Sequence, residues 1–170
     1  DRMNVRALNA YDRAGFVDAL GAIFEHSPWI VDRAWHRRPF DAADALMTAM
    51  LAVVEAASDE EKLALIRAHP DLAGKAARAG ALTEHSASEQ AGVGLNRLSD
   101  EEFARFHHLN DTYKAQFGFS FVIAVRGQTR ETVLATFEAR LKNDLAAEKA
   151  EALRNIGLIA RFRLEDMLAG

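Results

Sequence analysis

Two titratable side chains stand where chemistry could be done. His69 lies in Ala68-His69-Pro70-Asp71-Leu72-Ala73-Gly74-Lys75, and Glu89 closes Ser86-Ala87-Ser88-Glu89, with Gln90 next. The spacing predicts His69 at a helix C-terminus, where the negative end of the helix dipole favours an imidazolium. Pro70 fixes the backbone beside it, so the ring is presented from a stiff turn. That suits a general acid or base, which must hold its proton within about 3 Å of the reacting atom. The structural reading of the same residue is a histidine capping the last carbonyls. Glu89 also reads two ways. Ser86-x-x-Glu89 spells a capping box with Ser86 as N-cap, but a helix N-terminus also offers free N–H groups to anionic or carbonyl ligands.

Arg163 sits on the last predicted helix among Ile159, Phe162 and Leu164. An arginine on an apolar surface either snorkels to solvent, pairs with a carboxylate, or presents a planar fork to a carboxylate or urea group. Arg161 competes for that role, and spacing does not choose between them. A metal hydrolase would need His85, Glu89 and His107 or His108. These make no H-E-x-x-H pattern, and adjacent helical histidines point about 100° apart. A metal site is therefore not expected. Gly92-Val93-Gly94 lacks the lysine and the strand-turn-helix setting of a phosphate loop.

The elements that must position these groups are helical. Asp41 is placed to cap a helix through Leu46, Met50, Val53 and Val54, and Ser58-Asp59-Glu60-Glu61 is a capping box opening a helix that ends at Ala68. Ser99-Asp100-Glu101-Glu102 opens another, with Phe103, Phe106, Leu109 and Tyr113 on one buried face. Thr129 caps a helix through Val133, Leu134, Phe137 and Leu141, and Asn143-Asp144 precedes a last long one. Shorter helices are predicted over 16–24, ended by Ser27-Pro28, and over 29–38. The stretch 74–88 reads as the loosest part. Phe119 to Val125 is a short apolar run after a glycine, enough for one extended segment and too little for a sheet. Its backbone groups would have no helix partners, and a flat heterocycle rich in amide groups would satisfy them. The expectation is one all-α domain over 1–170, with an extended internal segment at about 119–125.

Composition narrows the function. The 170 residues carry a formal net charge of −4 with scattered basic residues, which argues against nucleic-acid binding. There is no cysteine, so disulfide, thiolate and Cys-zinc chemistry are excluded. No apolar run approaches the roughly 20 residues of a membrane span. The N-terminus shows no signal pattern, and Met167-Leu168-Ala169-Gly170 shows no peroxisomal or ER address, so a cytoplasmic location is expected. An apolar helix face can bury itself within one chain or across a two-fold axis, which leaves a homodimer open.

Taken together, the residues resemble the family of 2-oxo-4-hydroxy-4-carboxy-5-ureidoimidazoline (OHCU) decarboxylases of the urate-to-allantoin pathway. The likeness covers nearly the whole chain. It runs from Phe24-Glu25-His26-Ser27-Pro28-Trp29-Ile30 and Arg38-Pro39-Phe40 to His69-Pro70-Asp71-Leu72-Ala73-Gly74 and Ser86-x-x-Glu89-Gln90 with Gly94-Leu95. It continues through Leu109-Asn110-x-x-Tyr113 and Phe117-Gly118-Phe119 to Gly127, and ends at Ile159-Ala160-x-x-Arg163-Leu164. The resemblance implies an all-helical, cofactor-free lyase acting on a small-molecule ureidoimidazoline carboxylate, with neither nucleic acid nor membrane as partner. It implies His69 as the catalytic acid/base, with Glu89 assisting and orienting the substrate. Pro70, Ser86, Ala87, Ser88, Glu89, Gln90 and the backbone of Phe121, Val122, Ile123, Ala124 and Val125 would line the pocket. It also selects Arg163 over Arg161 as the substrate-binding arginine. Ser120 stands where the family usually has proline, a departure that bears on the geometry of the extended segment. The rival is a non-enzymatic helical interaction domain in which His69 and Glu89 are only caps.

Overall fold

The computed structural model describes residues 3–169. Asp1, Arg2 and Gly170, at the ends read above for targeting signals, lie outside the described residues. The fold is all-α. Among the described residues ten α-helices follow in order: α1 Val5–Asn9, α2 Arg13–Leu20, α3 Trp29–Ala34, α4 Ala43–Ala56, α5 Asp59–Arg67, α6 Lys75–Arg78, α7 Glu84–Gly92, α8 Asp100–Phe117, α9 Arg130–Arg140 and α10 Leu145–Ala169. No strand occurs among the described residues, and no helix there is long and apolar enough to cross a membrane. The chain divides into two compact units. One holds the chain up to Ala68 together with everything from Gly157 onward, and the other is His69–Ile156.

The caps written in the sequence explain most helix starts. Ser58 and Ser99 each accept from the backbone N–H three residues on, while Glu61 and Glu102 reach back to them. Thr129 caps α9 through the Thr132 N–H, and Asp144 accepts from Ala147 N at 2.7 Å to open α10. Other expectations are corrected. α4 begins after Ala42 with no side-chain cap, so Asp41 lies one residue too early. The first long helix starts at Arg13, capped by Asp12, and tightens into a 3-10 turn at Gly21–Ile23. The helix predicted over 29–38 is α3 followed by a 3-10 turn at Trp35–Arg37. The stretch read as loosest holds α6 and most of α7.

In the first unit α3 packs against α2 and α4, and Ile30, Val31, Ala34, Leu46, Met47 and Met50 are fully or almost fully buried. Asn9 pins the chain between α3 and α4, because its side-chain amide donates to Phe40 O and accepts from Phe40 N, both at 2.8 Å.

The second unit is organised by α8, α9 and the first half of α10 around residues 119–125, which cross the core with neither helix nor strand. Every one of these seven residues is buried. Phe121 and Phe137 stack with centroids 3.8 Å apart, and Tyr113 meets Phe119, Phe121 and Phe137 edge-on. Such aromatic pairs contribute about 0.5–1.5 kcal/mol each beyond the area they bury. Beside this cluster Glu148 is fully buried, and its Oε1 accepts from Arg140 Nε and from the Tyr113 hydroxyl, both at 2.6 Å. Arg140 Nη2 is equally close to that oxygen, but off line, so it adds attraction without a hydrogen bond. Burial and the bond to Glu148 raise the Tyr113 hydroxyl pKa, keeping it protonated and donating.

Removing one partner from a buried pair leaves the other charged and desolvated. Glu148→Ala is therefore expected to lose about 3–5 kcal/mol of stability in urea unfolding. Arg154→Ala, from the exposed pair with Glu151, is expected to lose less than about 1 kcal/mol. Equal losses in the two variants would contradict this account of the core.

Candidate functional site

α5 delivers the histidine. Its helix ends at Arg67, Ala68 is the C-cap, and His69 follows directly, with only 7% of its surface exposed. The helix start is anchored electrostatically as well. Hydrogen bonds from Arg33 and from the Ser58 N–H hold the Glu61 carboxyl at about 2, well below the usual carboxylate range.

The chain after His69 makes a tight turn. Ala73 takes a left-handed φ of 51°, uncommon for a residue with a side chain. A Cβ on Gly74 would come within 2.9 Å of Asp71 Cβ, so only glycine fits there. Among the described residues no peptide group of 70–73 bonds another backbone group; side chains hold the turn instead. Gln90 Oε1 accepts from Ala73 N at 2.8 Å, and its Nε2 donates to Asp71 O at 3.3 Å. From α8, Asn110 Nδ2 donates to Leu72 O at 2.9 Å, and Lys114 Nζ lies 2.6 Å from the Asp71 carboxylate.

The capping box expected at Ser86 and Glu89 is not formed. Thr83 is the N-cap of α7, accepting from Ser86 N at 3.3 Å. Ser86 thus lies in the first turn and Glu89 in the second. Helical spacing puts Ser86, Glu89 and Gln90 on one face, with Ser86 and Gln90 buried and Glu89 half-buried. Ala87 and Ser88 are exposed. Two residues of the expected pocket stretch are therefore turned to solvent.

The expected extended segment is present and held from one side. Val122 O accepts from Arg140 Nη1 at 2.6 Å, Ala124 N donates to Asn155 Oδ1 at 3.0 Å, and Ala124 O accepts from Gln128 Nε2 at 2.8 Å. The Arg140 guanidinium also lies over the Phe121 ring, 4.3 Å from its centre. Between these anchors, the N–H and C=O of Ile123 bond no other group among the described residues. Both groups of Phe121 and the Val125 N–H are in the same position. Buried backbone groups of this kind are rare in folded proteins. They form a ready donor and acceptor set for a ligand carrying amide groups.

Arg163 belongs to the first unit and is 2% exposed. Its Nη1 reaches Glu25 Oε1 at 3.2 Å and the carbonyls of Ala22 and Ile23 at 3.3 and 3.4 Å. Glu25 is presented by a turn in which His26 has a φ of 47° and Ser27 Oγ donates to Glu25 O at 2.8 Å. Arg161 instead makes a surface pair with Asp44 at 3.1 Å. The residues of the metal-hydrolase alternative are not gathered. His107 pairs with Asp111 on its own helix, and no cluster of three His, Asp or Glu side chains occurs among the described residues.

With this geometry in place, comparison with known proteins decides the family. The OHCU decarboxylase family model matches residues 9–165. The chain belongs to the OHCU decarboxylase family. It is 39% identical over 166 residues to a protein of Halalkalicoccus jeotgali named 2-oxo-4-hydroxy-4-carboxy-5-ureidoimidazoline decarboxylase, covering 98% of this chain and 92% of that one. A protein of the same name from Haloferax volcanii is 40% identical over 164 residues, covering 96% and 95%. Among solved structures, the crystal structure of (S)-allantoin synthase superposes with a TM-score of 0.78 at 30% identity. The match covers 98% of this chain and 54% of that one, so the chain spans about half of its length.

Several residues of this family member escaped sequence reasoning as working parts: Glu25, Asn110, Lys114, Arg140 and Asn155. Asn110 carried a signal, since asparagine is a poor mid-helix residue that packing must justify. Arg140 and Glu148 carried none, because charged residues eight apart straddling a helix break look like surface. For the segment itself, Asn155→Ala removes the acceptor of a buried N–H. It is expected to cost about 1–3 kcal/mol and to speed amide exchange at Ala124 selectively. Unchanged Ala124 exchange by NMR would count against this anchoring.

Proposed function

We propose that this family member decarboxylates 2-oxo-4-hydroxy-4-carboxy-5-ureidoimidazoline to (S)-allantoin in urate breakdown, with His69 as general acid/base and Glu89 assisting. The family match across 9–165 runs through both compact units and supports treating the chain as one working domain. The observation that carries the reading is the buried segment 121–125. The free donor and acceptor of Ile123 suit a ring built of amide and urea groups. The cap reading of Glu89, on which the interaction-domain alternative leaned, loses its footing because Thr83 takes that place.

The chemistry follows from the substrate. Its carboxylate is on a carbon next to a ring C=N bond. When the bond to the carboxylate breaks, its electron pair moves into that C=N bond, carbon dioxide leaves, and an enamine-type intermediate remains. The ring is its own electron sink, so no cofactor is required to hold the charge. The ring nitrogen takes one proton as it receives the C=N pair, a second must reach the ureido-bearing carbon from one face, and the hydroxyl gives up its own as it becomes a carbonyl. The protein's tasks are to align the breaking bond with the π system, to offer fixed donors to the developing charge, and to deliver the proton at carbon. His69, held on a stiff turn and largely shielded from water, is suited to the last task. Glu89 on α7 orients it or polarises the substrate hydroxyl. Ser86, Gln90, Pro70 and the 121–125 backbone complete the site in this reading, and Arg163 is the substrate-binding arginine. A cysteine-free chain fits the reducing cytoplasm.

Supplying the substrate in situ from urate, with a uricase and a hydroxyisourate hydrolase, allows allantoin to be followed by circular dichroism. Rapid formation of one enantiomer is expected with the parent protein. His69→Asn is expected to fold normally and to lose about 10²–10⁴-fold in turnover. Turnover near the parent's in that variant would remove His69 from the mechanism.

A further inference from the structure

A peptide group is one conjugated unit. When its carbonyl accepts a hydrogen bond, electrons are drawn from its nitrogen and the N–H at its other edge becomes a stronger donor. When its N–H donates, its carbonyl becomes a stronger acceptor. The segment that crosses the core of the second unit has three consecutive peptide groups, each held by one edge. The Val122 carbonyl accepts from Arg140 Nη1 at 2.6 Å, and the N–H of that group, belonging to Ile123, bonds no other group among the described residues. The next group gives its Ala124 N–H to Asn155 Oδ1 at 3.0 Å and leaves the Ile123 carbonyl open in the same sense. The third receives Gln128 Nε2 at 2.8 Å on its Ala124 carbonyl and leaves the Val125 N–H open. In these three groups, every open edge lies opposite a side-chain hydrogen bond. Arg140, Asn155 and Val122 to Val125 are all buried, where hydrogen bonds polarise one another more strongly than in water.

The charge on Arg140 has no explanation in backbone satisfaction alone. A neutral amide serves the Ala124 carbonyl, and one would serve the Val122 carbonyl equally well. A buried guanidinium needs its own buried carboxylate, Glu148, and both must be stripped of water. What the charge adds is polarisation: a charge-assisted hydrogen bond is roughly twice as strong as a neutral one, and the peptide group passes that effect to the Ile123 N–H. We propose that Arg140, Asn155 and Gln128 are positioning residues that act through the peptide groups they hold, aiming and polarising the Ile123 N–H, the Ile123 carbonyl and the Val125 N–H toward the substrate. The proposal rests on the reading that the substrate's amide and urea groups meet the 121–125 backbone. All of these residues belong to the second compact unit. The two strengthened N–H groups are fixed donors of the kind that developing negative charge requires, and the charge of Arg140 reaches them through a neutral backbone.

The test compares Gln128→Met, Gln128→Lys and Arg140→Lys with the parent, using (S)-allantoin as the bound probe and the coupled assay for turnover. Gln128→Met keeps the length of the side chain and removes the donor to the Ala124 carbonyl, while Gln128→Lys restores a donor. Arg140→Lys keeps a cation beside Glu148, but an ammonium lacks the planar fork that spans Glu148 and the Val122 carbonyl. A cooperative strengthening of about 10–30% on a bond between fixed groups in a dry site corresponds to roughly 2–20-fold in affinity or rate. In ¹H–¹⁵N spectra of the free proteins, the Val125 amide is expected to move upfield in Gln128→Met and to return in Gln128→Lys. The Ile123 amide is expected to move upfield in Arg140→Lys. Each variant should shift its own amide most, a pattern that general loosening of the core does not produce. Allantoin should perturb both amides in the parent. Its affinity and kcat/KM should fall by about 2–20-fold in Gln128→Met and in Arg140→Lys, with Gln128→Lys within about twofold of the parent. Unmoved Val125 and Ile123 signals in the variants would overturn the proposal while leaving the substrate reading in place. So would affinity and turnover equal to the parent's in both Gln128→Met and Arg140→Lys. Failure of allantoin to perturb either amide in the parent would instead overturn that reading, and the proposal with it. If Arg140→Lys does not fold, the Gln128 pair decides alone, since Gln128 is only half-buried and lies outside the Glu148 cluster.

Discussion

A backbone that crosses a protein core outside helix or sheet must still satisfy its N–H and C=O groups. Everything distinctive in this molecule follows from that requirement. Residues 119–125 are buried throughout in an all-helical fold, with no neighbouring strand to bond. Side chains supply what a strand would have supplied. Arg140 covers the Val122 carbonyl, Asn155 the Ala124 N–H and Gln128 the Ala124 carbonyl. Arg140 can be buried there only because Glu148 neutralises it, and Glu148 in turn is shared with Tyr113 and Asn143. The fully buried carboxylate is thus tied, by a short chain of necessity, to the open N–H and C=O of one buried residue, Ile123.

The same device recurs at the histidine. There the turn's peptide groups are met by Gln90 and Asn110 in place of backbone. Residues 17 and 38 positions apart in sequence are thereby joined to one short stretch. α8 is common to both places. Asn110 serves the turn and Tyr113, one helical turn on, packs against the extended segment. A single helix face thereby fixes two non-helical stretches relative to each other within the second unit.

What was legible in the sequence was local. Ser58-x-x-Glu61, Ser99-x-x-Glu102, Thr129 and Asp144 announce helix starts because a cap acts within four residues, and the His-Pro pair announces a stop. The extended segment was legible because it is apolar, short and preceded by a glycine that takes a left-handed φ of 81°. Asp41 and Ser86 misled for one reason: each is a plausible cap within a few residues of the true start, and the neighbouring sequence decides by margins too fine for a pattern. Arg163 could be found but not interpreted, since its partner Glu25 lies 138 positions away. Which backbone groups stay open and which are closed depends on Arg140 and Asn155, and no periodicity marks them.

The side-chain clamp around 71–73 also bears on the order in which the molecule is built. Helices α7 and α8 form from neighbours within four residues, but the bonds that shape the turn close loops of 17 and 38 residues. Contacts of long sequence separation form after local ones, because chain entropy must be lost before they are made. The turn is therefore completed after the helices α7 and α8 that hold it. Its shape is thereby separable from theirs: the side-chain bonds that define the turn can be lost while the helices around it keep their own backbone bonds.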